Sequence, residues 1–179
     1  SPEDRKETLF IPYIFKYHCA YRCAFCVQSR EDKPPVAAKE ARSVVDDIES
    51  LISQYNTRYV RFYNNAFNLS ASFVREFCNL VLERKLVFYW SDCARFNNLS
   101  EEMVDLLYRA GCRKLIFGLD TASKKILKLI DKRIDLDQAR RVLRWCHERG
   151  IWAEVEVIVG LPHEGEEEFQ ETYAFVREN

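Results

Sequence analysis

Apolar and polar positions follow two periods along this chain, and the two periods take turns. Thr8 to Ile14 (TLFIPYI) is a short apolar run containing a proline, and it predicts a buried strand. Ala38 to Tyr55 carries Val44, Val45, Ile48, Leu51 and Ile52 at helical spacing. Arg58 to Tyr63 (RYVRFY) is rich in aromatic and β-branched residues and predicts a second strand. Ser70 to Arg84 predicts a second helix, with Phe73, Phe77, Leu80 and Val81 on one face. Leu86 to Ser91 (LVFYWS) predicts a third strand. Ser100 reads as the cap of a third helix, with Glu101 and Glu102 placed to suit its dipole and Gly111 to end it. Arg113 to Leu119 (RKLIFGL) predicts a fourth strand, followed by a short helix near Ser123 to Ile130. Asp135 reads as the cap of a longer helix to Arg149, with Gln138 in the capping-box position and Gly150 closing it. Ile151 to Val159 (IWAEVEVIV) predicts a fifth strand, and a further helix begins at Glu164.

Five strand–helix alternations imply parallel strands with right-handed crossovers. The expected class is α/β, a partial (βα) TIM-type barrel or open sheet with at least five βα units and a helical outer layer. In such folds chemistry gathers at the C-terminal ends of the strands. A complete eight-unit barrel needs about 250 residues, so 179 residues read as one partial barrel, a piece of a longer chain lacking at least its sixth unit. Ser1 in place of Met and a last helix that reads as unfinished favour the same expectation. Composition adds limits. At 47% hydrophobic and 31% charged residues the chain can build a packed core. With 27 Lys and Arg against 28 Asp and Glu, bulk charge gives no nucleic-acid signal. No apolar run has the length of a membrane span, and no signal-peptide pattern opens the sequence.

Seven cysteines are the outlier. An odd count argues against a fully paired secreted framework. Cys78, Cys93, Cys112 and Cys146 lie scattered in apolar contexts and read as buried small hydrophobes. Cys19, Cys23 and Cys26 form C-x3-C-x2-C on the loop after the first strand. Three thiolates there can converge on a soft metal centre. Zinc is a rival, but it normally takes four ligands, and neither a second cysteine pair nor a well-placed histidine (His18 adjoins Cys19) completes the set. A reactive dithiol leaves the third cysteine unexplained.

The motif and its place closely resemble the radical S-adenosylmethionine (radical SAM) superfamily, whose signature has an aromatic residue before the last cysteine, here Phe25. The resemblance covers nearly the whole chain. It implies a 4Fe–4S cluster on Cys19, Cys23 and Cys26, with the donor's amino and carboxylate groups on the open iron. One-electron cleavage then gives methionine and a 5′-deoxyadenosyl radical that takes hydrogen from substrate. After the second strand, Phe62-Tyr63-Asn64-Asn65-Ala66-Phe67 resembles the Phe-x-Asp-Asp-x-Phe of the cobalamin-associated branch, with Asn64 and Asn65 meeting the donor's amino group. Arg95 resembles the arginine that pairs with the methionyl carboxylate, a task suited to a guanidinium fork. Gly118-Leu119-Asp120-Thr121 resembles Gly-x-Glu-Ser, with Asp120 toward ribose or amino hydrogens, and Lys132, about a dozen residues on, resembles a lysine common in the branch but reads as a solvated charge. Ile158-Val159-Gly160-Leu161-Pro162-His163-Glu164 resembles the Ile-x-Gly-Leu-Pro-Gly-Glu that lies against adenine, Ile158 and Leu161 supplying apolar contacts. His163 stands where the family has Gly, and Glu156 where a small residue often opens the motif.

Strand parity adds one inference from the residues alone. If Ile158 faces the barrel interior, Glu156, Glu154 and Trp152 share its face. Interior carboxylates need partners, so Glu154 and Glu156 are expected to contact substrate or the donor, or else to pair with a neighbouring strand through Lys114 or Arg113. The resemblance implies an enzyme of the cobalamin-associated branch, acting in methyl transfer, ring formation or rearrangement, with cobalamin held by a domain outside this chain. It also implies a flavodoxin or ferredoxin reductant, a small-molecule or peptide substrate, oxygen sensitivity and a cytoplasmic location. The alternatives are a cobalamin-independent relative of methylthiotransferase or coproporphyrinogen oxidase type, and a non-catalytic metal-binding module.

Overall fold

The computed structural model describes residues 9–16, 19–29 and 38–179. Thr8, His18, Pro34 and Pro35 lie outside the described residues. The elements run β1 (Ile11–Tyr13), α1 (Ala41–Gln54), β2 (Tyr59–Phe62), α2 (Ala71–Glu83), β3 (Tyr89–Ala94), α3 (Glu101–Arg109), β4 (Cys112–Asp120), α4 (Lys124–Leu129), α5 (Leu136–Arg149), β5 (Trp152–Val157) and α6 (Glu166–Glu178). The five strands form one sheet in sequence order, every neighbouring pair parallel. This is the α/β arrangement of five βα units that the alternation predicts.

The helices cover one face of the sheet. There Val60, Phe62, Trp90, Leu115, Phe117 and Leu119 are buried against the helical stripes of Val44, Val45 and Ile48, of Val74 and Phe77, and of Val104 and Leu107. An aromatic cluster knits β1, β2 and β3 to α2. Phe15 stacks on Phe73 at 4.9 Å, and Phe67 lies 4.7 Å from Trp90. Phe15 lies two residues past the end of β1, so burying it plants the start of the cysteine loop in the core. Alternate strand residues, among them Tyr59, Arg61, Ser91, Cys93, Glu154 and Glu156, point to the opposite face, which is the barrel interior.

The caps predicted at Ser100 and Asp135 formed, the latter without its capping box, and Ser70 caps α2 as well. Ser70 accepts from Phe73 N at 3.3 Å and Ser100 from Met103 N at 3.2 Å. Asp135 accepts from Gln138 N at 3.2 Å, but the Gln138 side chain does not close a capping box. It reaches away to donate to Leu99 O at 2.6 Å, a bond that ties α5 to the end of the β3–α3 loop. Gly111 does more than end α3. At φ +94°, a Cβ there would sit 2.1 Å from Phe88 O, so no other residue fits.

Three strands differ from expectation by more than one residue. β3 starts at Tyr89 and runs to Ala94, three residues later than the apolar run Leu86 to Ser91. Leu86 to Phe88 is the extended entry to it, pulled in by burial of Phe88. β1 is only Ile11–Tyr13, and β5 ends at Val157, before Ile158 and Val159. Among the scattered cysteines, Cys78, Cys112 and Cys146 are fully buried as expected. Cys93 is not: it is half-buried on the open face of β3.

Candidate functional site

All five strands end at the same edge of the sheet, which brings the predicted residues together. The cysteine loop descends from β1 and is fixed at three points. Cys26 N donates to Cys23 O at 3.0 Å, making a tight turn with Ala24 and Phe25 at its tip. Ala24 N donates to Ile130 O at 2.9 Å, docking that turn on the end of α4. Tyr21, between the first two cysteines, lies under the Arg95 guanidinium at 3.5 Å from its ring centre. Cys23 is buried, while Cys19 and Cys26 are half-buried.

The ends of β2 and β3 are joined by a buried polar network. Asn64 Oδ1 accepts from Phe15 N at 3.2 Å and from Lys16 N at 3.1 Å. Asn64 Nδ2 donates to Asp92 Oδ2 at 2.6 Å, and Asn64 N donates to Asp92 Oδ1 at 3.1 Å. Cys93 N donates to Asp92 Oδ1 at 2.8 Å. The two side chains are 3% and 1% exposed. Burial pushes the Asp92 carboxyl up to about 7, although the Asn64 side-chain bond and the backbone donors pull the other way. Asn64 therefore has a different task from the one expected. Its amide is consumed in holding the start of the cysteine loop, and it is Asn65, half-buried, that follows at the strand end.

Arg95 stands directly after β3, and its backbone is gripped by Asn68. Arg95 N donates to Asn68 Oδ1 at 2.8 Å, and Asn68 Nδ2 donates to Arg95 O at 2.7 Å and to Asn97 O at 2.8 Å. Arg95 Nε and Nη2 are buried, with no hydrogen-bond partner among the described residues. Buried donors left unpaired are costly, and each calls for an acceptor such as water, an ion or a ligand group.

At the end of β4, Asp120 adopts φ +61° and pairs with Lys132. Both side chains are under a tenth exposed. The Lys132 ammonium also lies 5.7 Å from the centre of the Phe25 ring. Lys132 is thus not the solvated charge expected. Thr121 turns away from the site, fully buried, its hydroxyl 3.0 Å from that of Thr172 on α6. Beyond β5, Ile158 and Leu161 pack with Ile126 and Ile130 of α4 into a small apolar floor. Glu164 accepts from the N–H groups of Gly160 and Leu161, and His163 takes φ +65°, the left-handed geometry of the glycine it replaces.

On the open face, Glu154 pairs with Lys114 of the neighbouring strand at 2.5 Å, the cross-strand alternative. Glu156, one pleat nearer the strand ends, lies opposite Gly118 and is exposed. Cys93 shares this face, and burial with the nearby carboxylates of Asp92 and Glu156 pushes its thiol up to about 11.

A family model described as the radical SAM superfamily matches residues 13–176. This chain belongs to the radical SAM superfamily. It is 26% identical over 166 residues to the anaerobic magnesium-protoporphyrin IX monomethyl ester cyclase of Rubrivivax gelatinosus, covering 92% of this chain and 30% of that protein. Its fold superposes on the radical SAM methyltransferase TsrM of Kitasatospora setae, solved with tryptophan and a SAM analogue, with a TM-score of 0.85 and 26% identity over 95% of this chain and 34% of that one. Coproporphyrinogen III oxidase HemN of Escherichia coli shares the fold at a TM-score of 0.69 and 19% identity. The chain spans about a third of the first two proteins.

The cofactors of the radical SAM family are a 4Fe–4S cluster and SAM, and the residues here suit both by their chemistry. Three thiols on one short loop are the donor set for such a cluster. As they stand, no three His, Cys, Asp or Glu side chains among the described residues are gathered on one metal position. The stronger fit is at Arg95, whose buried, unpaired Nε and Nη2 are the donors a carboxylate would satisfy. Two contributors were not foreseen: Asp92, just past the apolar run Leu86 to Ser91, and Tyr21, whose role depends on Arg95; Lys132 was marked only by its resemblance to a lysine of the branch, with no role assigned.

Proposed function

We propose that this chain is the catalytic core of a radical SAM enzyme of the cobalamin-associated type. Cys19, Cys23 and Cys26 would hold the cluster, as the three thiols of one short loop. When bound, the reduced cluster supplies the single electron that cleaves SAM to methionine and a 5′-deoxyadenosyl radical. The protein's own residues orient the donor. Arg95 takes its carboxylate, Asn65 and the adjoining carbonyls its amino group, Asp120 its ribose, and Ile158 and Leu161 its adenine face, with Phe25 packed beside the last cysteine. Glu156, and Glu154 if released from Lys114, present carboxylates to substrate inside the barrel.

The observation that carries this reading is the Arg95 guanidinium, stacked on Tyr21 of the cysteine loop, with Nε and Nη2 buried and without a hydrogen-bond partner among the described residues. Likeness to a tetrapyrrole cyclase and to a methyltransferase supports methyl transfer or ring formation on a small molecule, with cobalamin in a separate domain. A flavodoxin- or ferredoxin-like reductant and an anaerobic, cytoplasmic setting complete the proposal. No helix among the described residues is long and apolar enough to cross a membrane. The test is anaerobic reconstitution of the full-length protein. Four irons per chain and 5′-deoxyadenosine after reduction are expected, with both lost when the three cysteines become alanine. An intact, reducible cluster that yields no 5′-deoxyadenosine defeats the enzyme reading and leaves a metal-binding module.

A further inference from the structure

The Asp120–Lys132 pair is the most deeply covered ion pair described, and the proposed donor contacts use only its aspartate. A buried pair seldom repays its desolvation, so stability alone does not account for it. Its surroundings are specific. Lys132 lies just past α4, held by a bond from its N–H to Leu127 O at 2.9 Å. From there its ammonium meets two groups at once: the Asp120 carboxylate at the end of β4 and the ring of Phe25, next to Cys26. Gly118 leaves the room for this. A Cβ there would come within 3.2 Å of Lys132 Nζ and 3.4 Å of Asp120 Oδ1. The same cysteine turn is pinned to Ile130 O, two residues before Lys132.

Arg95 and Lys132 thus form a pair of clamps. Arg95 stacks on Tyr21 in the first half of the cysteine loop, and Lys132 lies over Phe25 in the second half. We propose that Lys132 is a positioning residue. It sets the Cys23–Cys26 turn against the Asp120 carboxylate, and its charge helps to set the reduction potential of the metal centre on that loop. The inference rests on the function proposed above. A fixed positive charge beside a cluster favours its reduced, more negative state, and a fixed negative charge disfavours it. Lys132 and Asp120 place one of each in a poorly hydrated site, so removing either should move the potential, in opposite directions.

The test uses the reconstituted full-length protein and three variants: Lys132→Met, Asp120→Asn and Lys132→Arg. Iron content, the midpoint potential by EPR-monitored titration, and SAM affinity are measured for each. Lys132→Met is expected to lower the midpoint potential and Asp120→Asn to raise it, while Lys132→Arg stays near wild type. SAM should bind about tenfold more weakly to the first two, because Lys132→Met removes the cation that sets the Asp120 carboxylate and Asp120→Asn removes the carboxylate itself. A purely structural pair would lower the melting temperature of both variants and leave both potentials at the wild-type value, and that result overturns the inference. Shifts of the same sign overturn it too. If Lys132→Met does not fold, the upward shift in Asp120→Asn and its absence in Lys132→Arg decide the matter alone. A wild-type chain that takes up no cluster would instead overturn the proposed function.

Discussion

Replacing Asn64 by alanine separates two tasks that its position allows, holding the loop or holding the donor. In the structure the amide makes three bonds: acceptance from Phe15 N and Lys16 N, and donation to Asp92 Oδ2 at 2.6 Å. Each such bond contributes about 1 kcal/mol net, and more where the acceptor is a carboxylate. Truncation also leaves the buried Phe15 N–H without its acceptor. The loss should total about 3–4 kcal/mol. For a chain of this size that corresponds to a melting temperature lower by roughly 6–16 °C, read by thermal unfolding of the apoprotein. Asn64→Asp is the companion. Its oxygens still accept from the loop, but one meets Asp92 Oδ2 where a donor stood. The two carboxyls must then share a proton, so this variant should weaken further as pH rises through 7. If Asn64→Ala melts within 2 °C of wild type while SAM binding falls, the loop-anchor reasoning fails and Asn64 is a donor contact after all.

Three further outcomes are expected. Arg95→Lys keeps the charge but loses the fork, so SAM affinity should fall about 10- to 100-fold with little change in melting temperature; equal affinity, measured by calorimetry, would remove the carboxylate assignment. Asp92 has its folded pKa raised from 3.8 to about 7 by burial, so the folded state binds the extra proton in that window. Stability should fall as pH rises from about 4 through 7, by up to about 4 kcal/mol, and Asp92→Asn should flatten that dependence in denaturant titrations; parallel curves would refute it. His163 sits at φ +65°, so His163→Gly should stabilise by about 1 kcal/mol, a melting point about 2–4 °C higher, whereas a lower one would mean the imidazole makes a contact worth more than the strain.

The periods of the sequence were enough to read the order of elements, because each strand and helix owes its form to a local pattern buried on one face. They misplaced β3 because Leu86, Val87 and Phe88 are as apolar as the strand they precede, while the strand itself carries Ser91, Asp92 and Cys93. Periodicity cannot tell an entry segment from a ladder when burial, not pairing, makes it apolar. Three residues later in register, Asp92 becomes a buried strand residue, and that displaces Asn64 from ligand to scaffold. The candidate site residues legible in advance were those whose chemistry is local: three cysteines on one loop, an arginine at a strand end, a glutamate facing Lys114 one strand away. Those that were not legible depend on meeting a group far along the chain. Lys132 shows why. It follows a short helix rich in lysine, where a solvated charge is the ordinary outcome. Two features withdraw it from water, the docking of Ala24 on Ile130 O and the missing side chain of Gly118, and both belong to other segments. A buried cation at that point has one consequence that a surface lysine lacks: its field reaches the cysteine loop, the proposed seat of the metal centre, with little screening by solvent. Under the proposed function the cysteines choose the chemistry, and the two cations folded in around them, Arg95 over Tyr21 on one half of the loop and Lys132 over Phe25 on the other, are what would hold that loop toward the donor.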